Sequence, residues 1–275
     1  MANQKRNTPN IEPTKGYRYY KITGLPGYYS SLKGGTSKND FHNSPTQAKV
    51  RDNINELKGV SQAVKAIRHP LIPFKSNWST YITGQLTKAI RLIQIQDSHD
   101  PKEKRPIKIS QFPTPLIGFE FNLDTHFHTA FPTPFTLSHH PNRTQAALEI
   151  PSFNPSTLFK KRSAATHFRI SLTVFFIPDF FFDSKSNLYT PSPEATPFNG
   201  LTATTLSEFQ NIHQNELPPL TLSAQILKKH YPPTQPYPTT DTSLISTLQI
   251  QYYQKENDKY LPLKANTAMK IESIV

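Results

Sequence analysis

Glu120, Asp124, His126 and His128 all stand on even positions, and their side chains are of the types that hold a transition metal. On a strand running straight through 120–128, equal parity means one face. An Asp-x-His-x-His run would then aim a carboxylate and two imidazoles the same way, with Glu120 further along. Asp124, His126 and His128 are therefore the candidate metal ligands. Against them, Pro132 and Pro134 follow closely and should end the strand, and imidazoles on an exposed strand face are common without a metal. No resident metal is expected. His139 and His140 fall in an expected turn and should be solvated. His167 stands on the polar side of a strong strand, where a hydrogen-bonded structural histidine is expected.

Little else announces a reaction. The glycines at 24, 27, 34 and 35 match neither the phosphate loop nor the dinucleotide fingerprint, and no G-x-S-x-G elbow is present. With no cysteine there is no disulfide, no thiolate ligand and no cysteine nucleophile. A triad assembled in three dimensions leaves no local trace. The expectation is a non-enzymatic chain with no catalytic residue and no cofactor.

Charge says more. The 275 residues carry a net charge of +12, and the excess is unevenly placed. Residues 1–110 hold 19 Lys plus Arg against 7 Asp plus Glu, whereas residues 111–275 hold 12 against 12. Such asymmetry points to nucleic acid, an anionic surface or an acidic partner, with a merely solubilising face as the bland reading. Within the basic part, Tyr17, Tyr19, Tyr20, Tyr28 and Tyr29 alternate with Lys15, Arg18, Lys21 and Lys33. That mixture can stack on bases and neutralise phosphates, and it can equally tie an arm onto a neighbouring protein surface. The candidate partner-binding residues are Tyr17, Arg18, Tyr19, Tyr20, Lys21, Tyr28, Tyr29, Lys49, Arg51, Lys65, Arg68, Lys88 and Arg91.

Three segments must position these groups. Residues 1–43 have no apolar period and repeated glycines, which reads as an extended arm. Residues 44–105 read as a basic helical hairpin and linker. Ser44 with Pro45 is a helix start, and Val50, Ile54, Leu57, Val64 and Ile67 recur at helical spacing, with Gly59 the weak point. Pro70 and Pro73 end that helix. Trp78, Ile82, Leu86, Ala89 and Ile93 make the stripe of a second. The run DSHDPKEKR, from Asp97 on, is the linker.

From residue 106 the period changes to 2. Ile117, Phe119, Phe121 and Leu123 alternate as a strand would, Phe135 and Leu137 should pair with Leu148 and Ile150, and the clearest strand runs through Phe168, Ile170, Leu172, Val174 and Phe176. Leu220 to Ile226 and Leu248 to Tyr252 repeat the pattern. A final hairpin should turn near Asn257 and Asp258. The fold class expected is α+β, with residues 106–275 an antiparallel β-sandwich of the Ig-like or jelly-roll type. The 26 prolines suit its short strands and stiff connections. No run is apolar and long enough to span a bilayer, and the first twenty residues hold no apolar core to act as a secretory signal. A soluble cytoplasmic protein is expected, with no membrane partner.

The runs LKGGTSKNDFHNSPTQAKVRDNINEL, Gly118-Phe119-Glu120-Phe121-Asn122, Ala165-Thr166-His167-Phe168-Arg169 and QYYQKENDKYLPLKANTAMKIESIV together resemble a widespread family of uncharacterised Bacteroidota proteins, over most of the chain from about residue 25. The resemblance implies a bacterial origin and the same two-part layout, and it brings no activity, substrate or site residue with it. The chain departs from the family pattern in the closing hairpin, where Lys255-Glu256-Asn257-Asp258 stands in place of an expected glycine turn. The leading expectation is a structural or assembly protein acting through protein contacts, as a homo-oligomer. The alternatives are a nucleic-acid-binding protein using residues 1–110, and a sandwich that binds carbohydrate or another ligand.

Overall fold

The computed structural model describes residues 16–32, 34–159, 165–231 and 235–275, with the backbone alone at Ala265. The chain divides into two compact units, Met1–Arg51 and Asp52–Val275.

In the first unit, β1 (Tyr17–Tyr20) and β2 (Tyr29–Leu32) pair antiparallel, with Tyr17 opposite Leu32 and Tyr20 opposite Tyr29. Gly24 and Gly27 in the connection take φ of 89° and 84°, a region that glycine enters without steric cost. A short helix, α1 (Lys38–Asn43), follows; the Ser37 side chain caps it by accepting the Asp40 N–H. Its C-terminal end is held by Arg51, whose guanidinium donates to the carbonyls of Phe41 at 2.7 Å and Ser44 at 3.0 Å. The stretch expected as an extended arm is thus a ribbon and a helix where it is described. Residues 1–15, Lys15 among them, and Lys33 lie outside the described residues. Neither Tyr-Arg-Tyr-Tyr nor Tyr-Ser-Ser-Leu alternates strictly between apolar and polar residues, so neither strand leaves a periodic signal.

The longest helix, α2 (Ala48–Arg68), stops where Pro70 forbids continuation, and a 3-10 run, His69–Asn77, holds Pro70 and Pro73. After it comes α3 (Ile82–Gln94), which buries Ile82, Leu86, Ala89, Ile90 and Ile93 much as its spacing predicts. The buried face of α2 is Glu56, Gly59, Val60, Ala63, Val64 and Ile67. Val50, Ile54 and Leu57, expected on that face, are 42, 40 and 49% exposed. Val64 and Ile67 of the expected stripe are buried, and the rest of the buried face is rotated from Val50, Ile54 and Leu57 by roughly a third of a turn at about 100° per residue.

Downstream lie α4 (Phe127–Ala130), β3 (Thr136–His139), β4 (Gln145–Ile150), α5 (Pro155–Leu158), β5 (His167–Pro178), β6 (Phe181–Asp183) and β7 (Leu188–Thr190). Then follow β8 (Thr202–Leu206), β9 (Gln210–Asn211), β10 (Leu220–Gln225), β11 (Thr242–Glu256) and β12 (Lys259–Ile274). The large antiparallel sheet has the order β12-β11-β5-β8, with β9 also on β5; a smaller sheet has the order β10-β4-β3, and β6 pairs with β7. Leu137 stands opposite Leu148, as its spacing predicts. The turn between β11 and β12 is two residues long, Asn257 and Asp258 at φ 47° and 62°. Both central residues at positive φ make a type I′ turn, and Asn and Asp are the residues other than glycine that enter that region most readily.

On one face of β5, Phe168, Ile170, Leu172, Val174 and Phe176 stand opposite Tyr252, Ile250, Leu248, Ser246 and Leu244 of β11. All but Ser246 share a core cluster with Ala146 and Leu148 of β4 and with Leu222 and Ala224 of β10. The opposite face carries Phe175 and Ile177, with Ile245 of β11 and Met269 and Ile271 of β12. Here they pack with Val60, Ala63, Ile67, Leu86, Ile90 and Ile93 of the helices. The hairpin expected as a separate domain over 44–105 therefore shares its core with the sheet, and no packing boundary falls at residue 105. The linker is a pinned strap: buried Asp97 accepts the backbone N–H groups of His99 and Asp100 and the Lys108 ammonium at 2.6 Å. The alternation at 117–123 makes no strand. Gly118 and Phe121 instead donate their N–H groups to Ile271 and Met269, along the edge of β12.

Gly59 explains itself in this packing. A Cβ built there would lie 2.7 Å from a ring carbon of buried Tyr189 and 2.9 Å from the Ile107 methyl. Alanine favours a helix over glycine by about 1 kcal/mol, yet overpacking costs about 1–3 kcal/mol. Gly59→Ala should therefore lower the urea midpoint, and a raised midpoint would refute the close packing.

At the end of β5, Asp179 is 2% exposed, and its carboxylate accepts the Ser110 N–H at 3.0 Å and the Ser110 hydroxyl at 2.5 Å. Burial, opposed in part by those hydrogen bonds, pushes its pKa from the ordinary 3.8 up to about 6. The folded state thus holds a proton that the unfolded chain releases. The stabilisation is fully present below pH 3.8 and is lost as pH rises through 6. The difference corresponds to about 3 kcal/mol. Unfolding free energies of Asp179→Asn and the parent chain should diverge by that order between pH 4 and pH 7, the parent losing more. Parallel curves would contradict it.

Candidate anion-binding groove

The expected metal face does not form. Asp124 lies in a loop, His126 precedes α4, and His128 sits within that helix, so alternate residues no longer share a side. His128 Nε2 is 2.9 Å from Lys270 Nζ, and His126 Nδ1 is 3.9 Å from Glu120 Oε1. Glu120 accepts the Phe127 N–H, and burial raises its pKa. Among the described residues no three His, Asp or Glu side chains converge as metal ligands would. His139, expected in solvent, is half-buried, and its Nε2 lies 3.1 Å from Ser246 Oγ and 2.9 Å from Ser273 Oγ. Ser246 is wholly buried and Ser273 half-buried, and this contact ties β3 to β11 and β12.

A different constellation gathers on the helical layer. Ser61, Val64, Lys65 and Arg68 follow one another at steps of three, one and three, which is a single stripe of α2. His69, Ile72 and Lys75 are each three apart in the 3-10 run, and that period stacks them on one side. Thr83 and Thr87 are a turn apart on α3. All nine line a cavity of about 380 Å3.

Val64 and Ile72 supply apolar surface, and the cations stand around it. The Arg68 guanidinium lies 5.6 Å from the centre of the Trp78 ring, which fixes it in place, and its Nε is buried without a hydrogen-bond partner. Among the described residues neither Lys65, Arg68, His69 nor Lys75 joins an ion pair, and no carboxylate lines the cavity. The Ser61 and Thr87 hydroxyls are spent on their own helices, donating to the carbonyls of Leu57 and Thr83. The cations are left as the main donors. On the other side of Lys65 and His69 is a second concavity of about 280 Å3, which those two residues share with Gln62, Ala66, Phe180, Asn199 and Gly200.

Of the candidate partner-binding residues, Lys65 and Arg68 lie in this groove. Arg91 is engaged with buried Glu56 at 2.5 Å, and Arg51 with the end of α1, so both have structural work. Lys49 and Lys88 are exposed on α2 and α3 outside the cavity lining. On the ribbon, Arg18 donates to Ser31 Oγ at 2.8 Å, and the rings of Tyr20 and Tyr29 are 6.3 Å apart. Tyr17, Tyr20, Lys21 and Tyr28 are exposed, and Tyr19 is half-buried. His69 and Lys75 were not singled out in the sequence. Their signal is a spacing of three across a proline-rich stretch.

No protein-family model, curated protein or solved structure matches this chain. Among the described residues no helix is long and apolar enough to cross a membrane.

Proposed function

We propose that this chain is a non-enzymatic nucleic-acid-binding protein whose groove between α2 and α3 receives backbone phosphates. The observation that carries this reading is the convergence of Lys65, Arg68, His69 and Lys75 on one cavity, with no carboxylate in its lining. Unpaired cations in a concave, partly apolar setting attract an anion more strongly than the same charges spread over a convex surface. A cleft of this size suits a single strand, since duplex phosphates ride on a rigid convex cylinder. The exposed tyrosines and cations of the ribbon in the first unit are a second feature of single-strand binders, offering faces on which bases stack. The test is binding of a fluorescent single-stranded oligonucleotide across a salt series. Affinity should fall steeply with salt as counterions are released, and absence of binding at low salt would dispose of the reading.

The body is read as an open β-sandwich of the two sheets, supported by the cluster that joins Leu172 and Leu248 to Leu148 and Leu222. A second functional reading, self-assembly, is favoured by the exposed stripe of Val50, Ile54 and Leu57 along α2. It requires a native mass above that of the single chain by light scattering.

A further inference from the structure

We propose that the concavity on the far side of Lys65 and His69 receives the base of the nucleotide whose phosphate lies in the groove. The inference rests on the nucleic-acid reading and adds to it that the protein reads a base edge as well as a backbone.

Lys65 and His69 line both concavities, so the two lie side by side as adjacent lobes. They measure about 280 and 380 Å3, near the lower end of the range of roughly 300–1,000 Å3 typical of small-molecule sites. The lobes differ in chemistry. The first offers the Lys65, Arg68 and Lys75 cations and the His69 imidazole. The second adds two amides, Gln62 from α2 and Asn199 from the turn after Thr196–Phe198, beside the Phe180 ring and Gly200. Neither amide side chain has a hydrogen-bond partner among the described residues.

An amide carries a donor and an acceptor in one plane, which is the complement of a base edge, and no carboxylate is present to repel the attached phosphate. Gly200 adds no side chain to crowd the lobe. A nucleotide satisfies both halves at once, whereas a free phosphate would leave the amide lobe unused. Because a base must leave its stack to enter, the ligand is a single strand or an unpaired end.

The experiment compares two oligonucleotides of equal length and charge, one carrying bases and one abasic, on the full chain and on the double variant Gln62→Ala/Asn199→Ala. Both substituted residues are exposed, and an unchanged melting temperature verifies folding. The parent should bind the base-bearing strand about tenfold more tightly. The double variant should lose most of that ratio while keeping its affinity for the abasic strand. A ratio that survives in the double variant overturns the inference while leaving the nucleic-acid reading intact, because the ribbon tyrosines would then account for the preference. Binding of neither strand at low salt overturns both.

Discussion

Arg91→Ala should cost about 3–5 kcal/mol of folding stability, the penalty for leaving a buried carboxylate without its counterion. Glu56 is fully buried within α2, and Arg91 Nη2 on α3 reaches its Oε2 at 2.5 Å. The other oxygen, Oε1, has no hydrogen-bond partner and only the more distant Arg105 at 3.9 Å. Gln94 completes the arrangement, accepting from Arg91 at 2.5 Å and donating to the carbonyl of Arg105 at 3.0 Å. Truncating Arg91 removes the shortest contact and strands the charge. Replacing both partners, as Glu56→Leu/Arg91→Leu, should recover most of the loss, because an apolar pair asks for no solvation. Equilibrium urea unfolding of the parent, the single and the double variant measures this. A single-variant loss below about 1 kcal/mol would mean that water reaches Glu56.

The second large effect is on binding. Lys65→Glu/Lys75→Glu should weaken single-strand affinity by at least about tenfold at low salt, and should lower the slope of log affinity against log salt by about 1.4, at roughly 0.7 for each phosphate contact removed. Both lysines are exposed and join no ion pair among the described residues. Stability should therefore move by no more than about 0.5 kcal/mol. Arg68 is the poorer choice for this test, because its contact with Trp78 mixes packing with charge. An unchanged slope would place the phosphate contacts elsewhere.

These two variants mark what could be read from residue types alone. Arg91 and Lys65 look alike in the sequence, two cations on amphipathic helices. Only the position of Glu56, a charged residue on the inward face of α2, separates a structural arginine from an available lysine. The α3 stripe and the β3–β4 register follow from local periodicity and were legible. On the inward face of α2, Val64 and Ile67 were legible, but the rest was not, because Gly59 and Ala63 are buried without the hydrophobicity that betrays a core position. Nor was the sharing of one core by helices and sheet. The sequence shows Phe175 and Ile177 only as breaks in the polar alternation of β5, and that alternation fails because a second layer covers them. The groove was half visible. Lys65 and Arg68 stood out by charge, while His69 and Lys75 needed the 3-10 geometry to bring them alongside.

The apolar face shared by α2 and α3 has a consequence for biosynthesis. Those helices leave the ribosome well before Ile245, Met269 and Ile271, which help to cover them. At roughly 5–20 residues per second, the interval between Ile93 and Ile271 lasts on the order of ten to thirty seconds. Through that interval a nascent chain carries two greasy helices with an incomplete resting place, and the final hairpin acts as the latch that retires them. Removing β12 would therefore be felt first at α2 and α3, far away in the sequence.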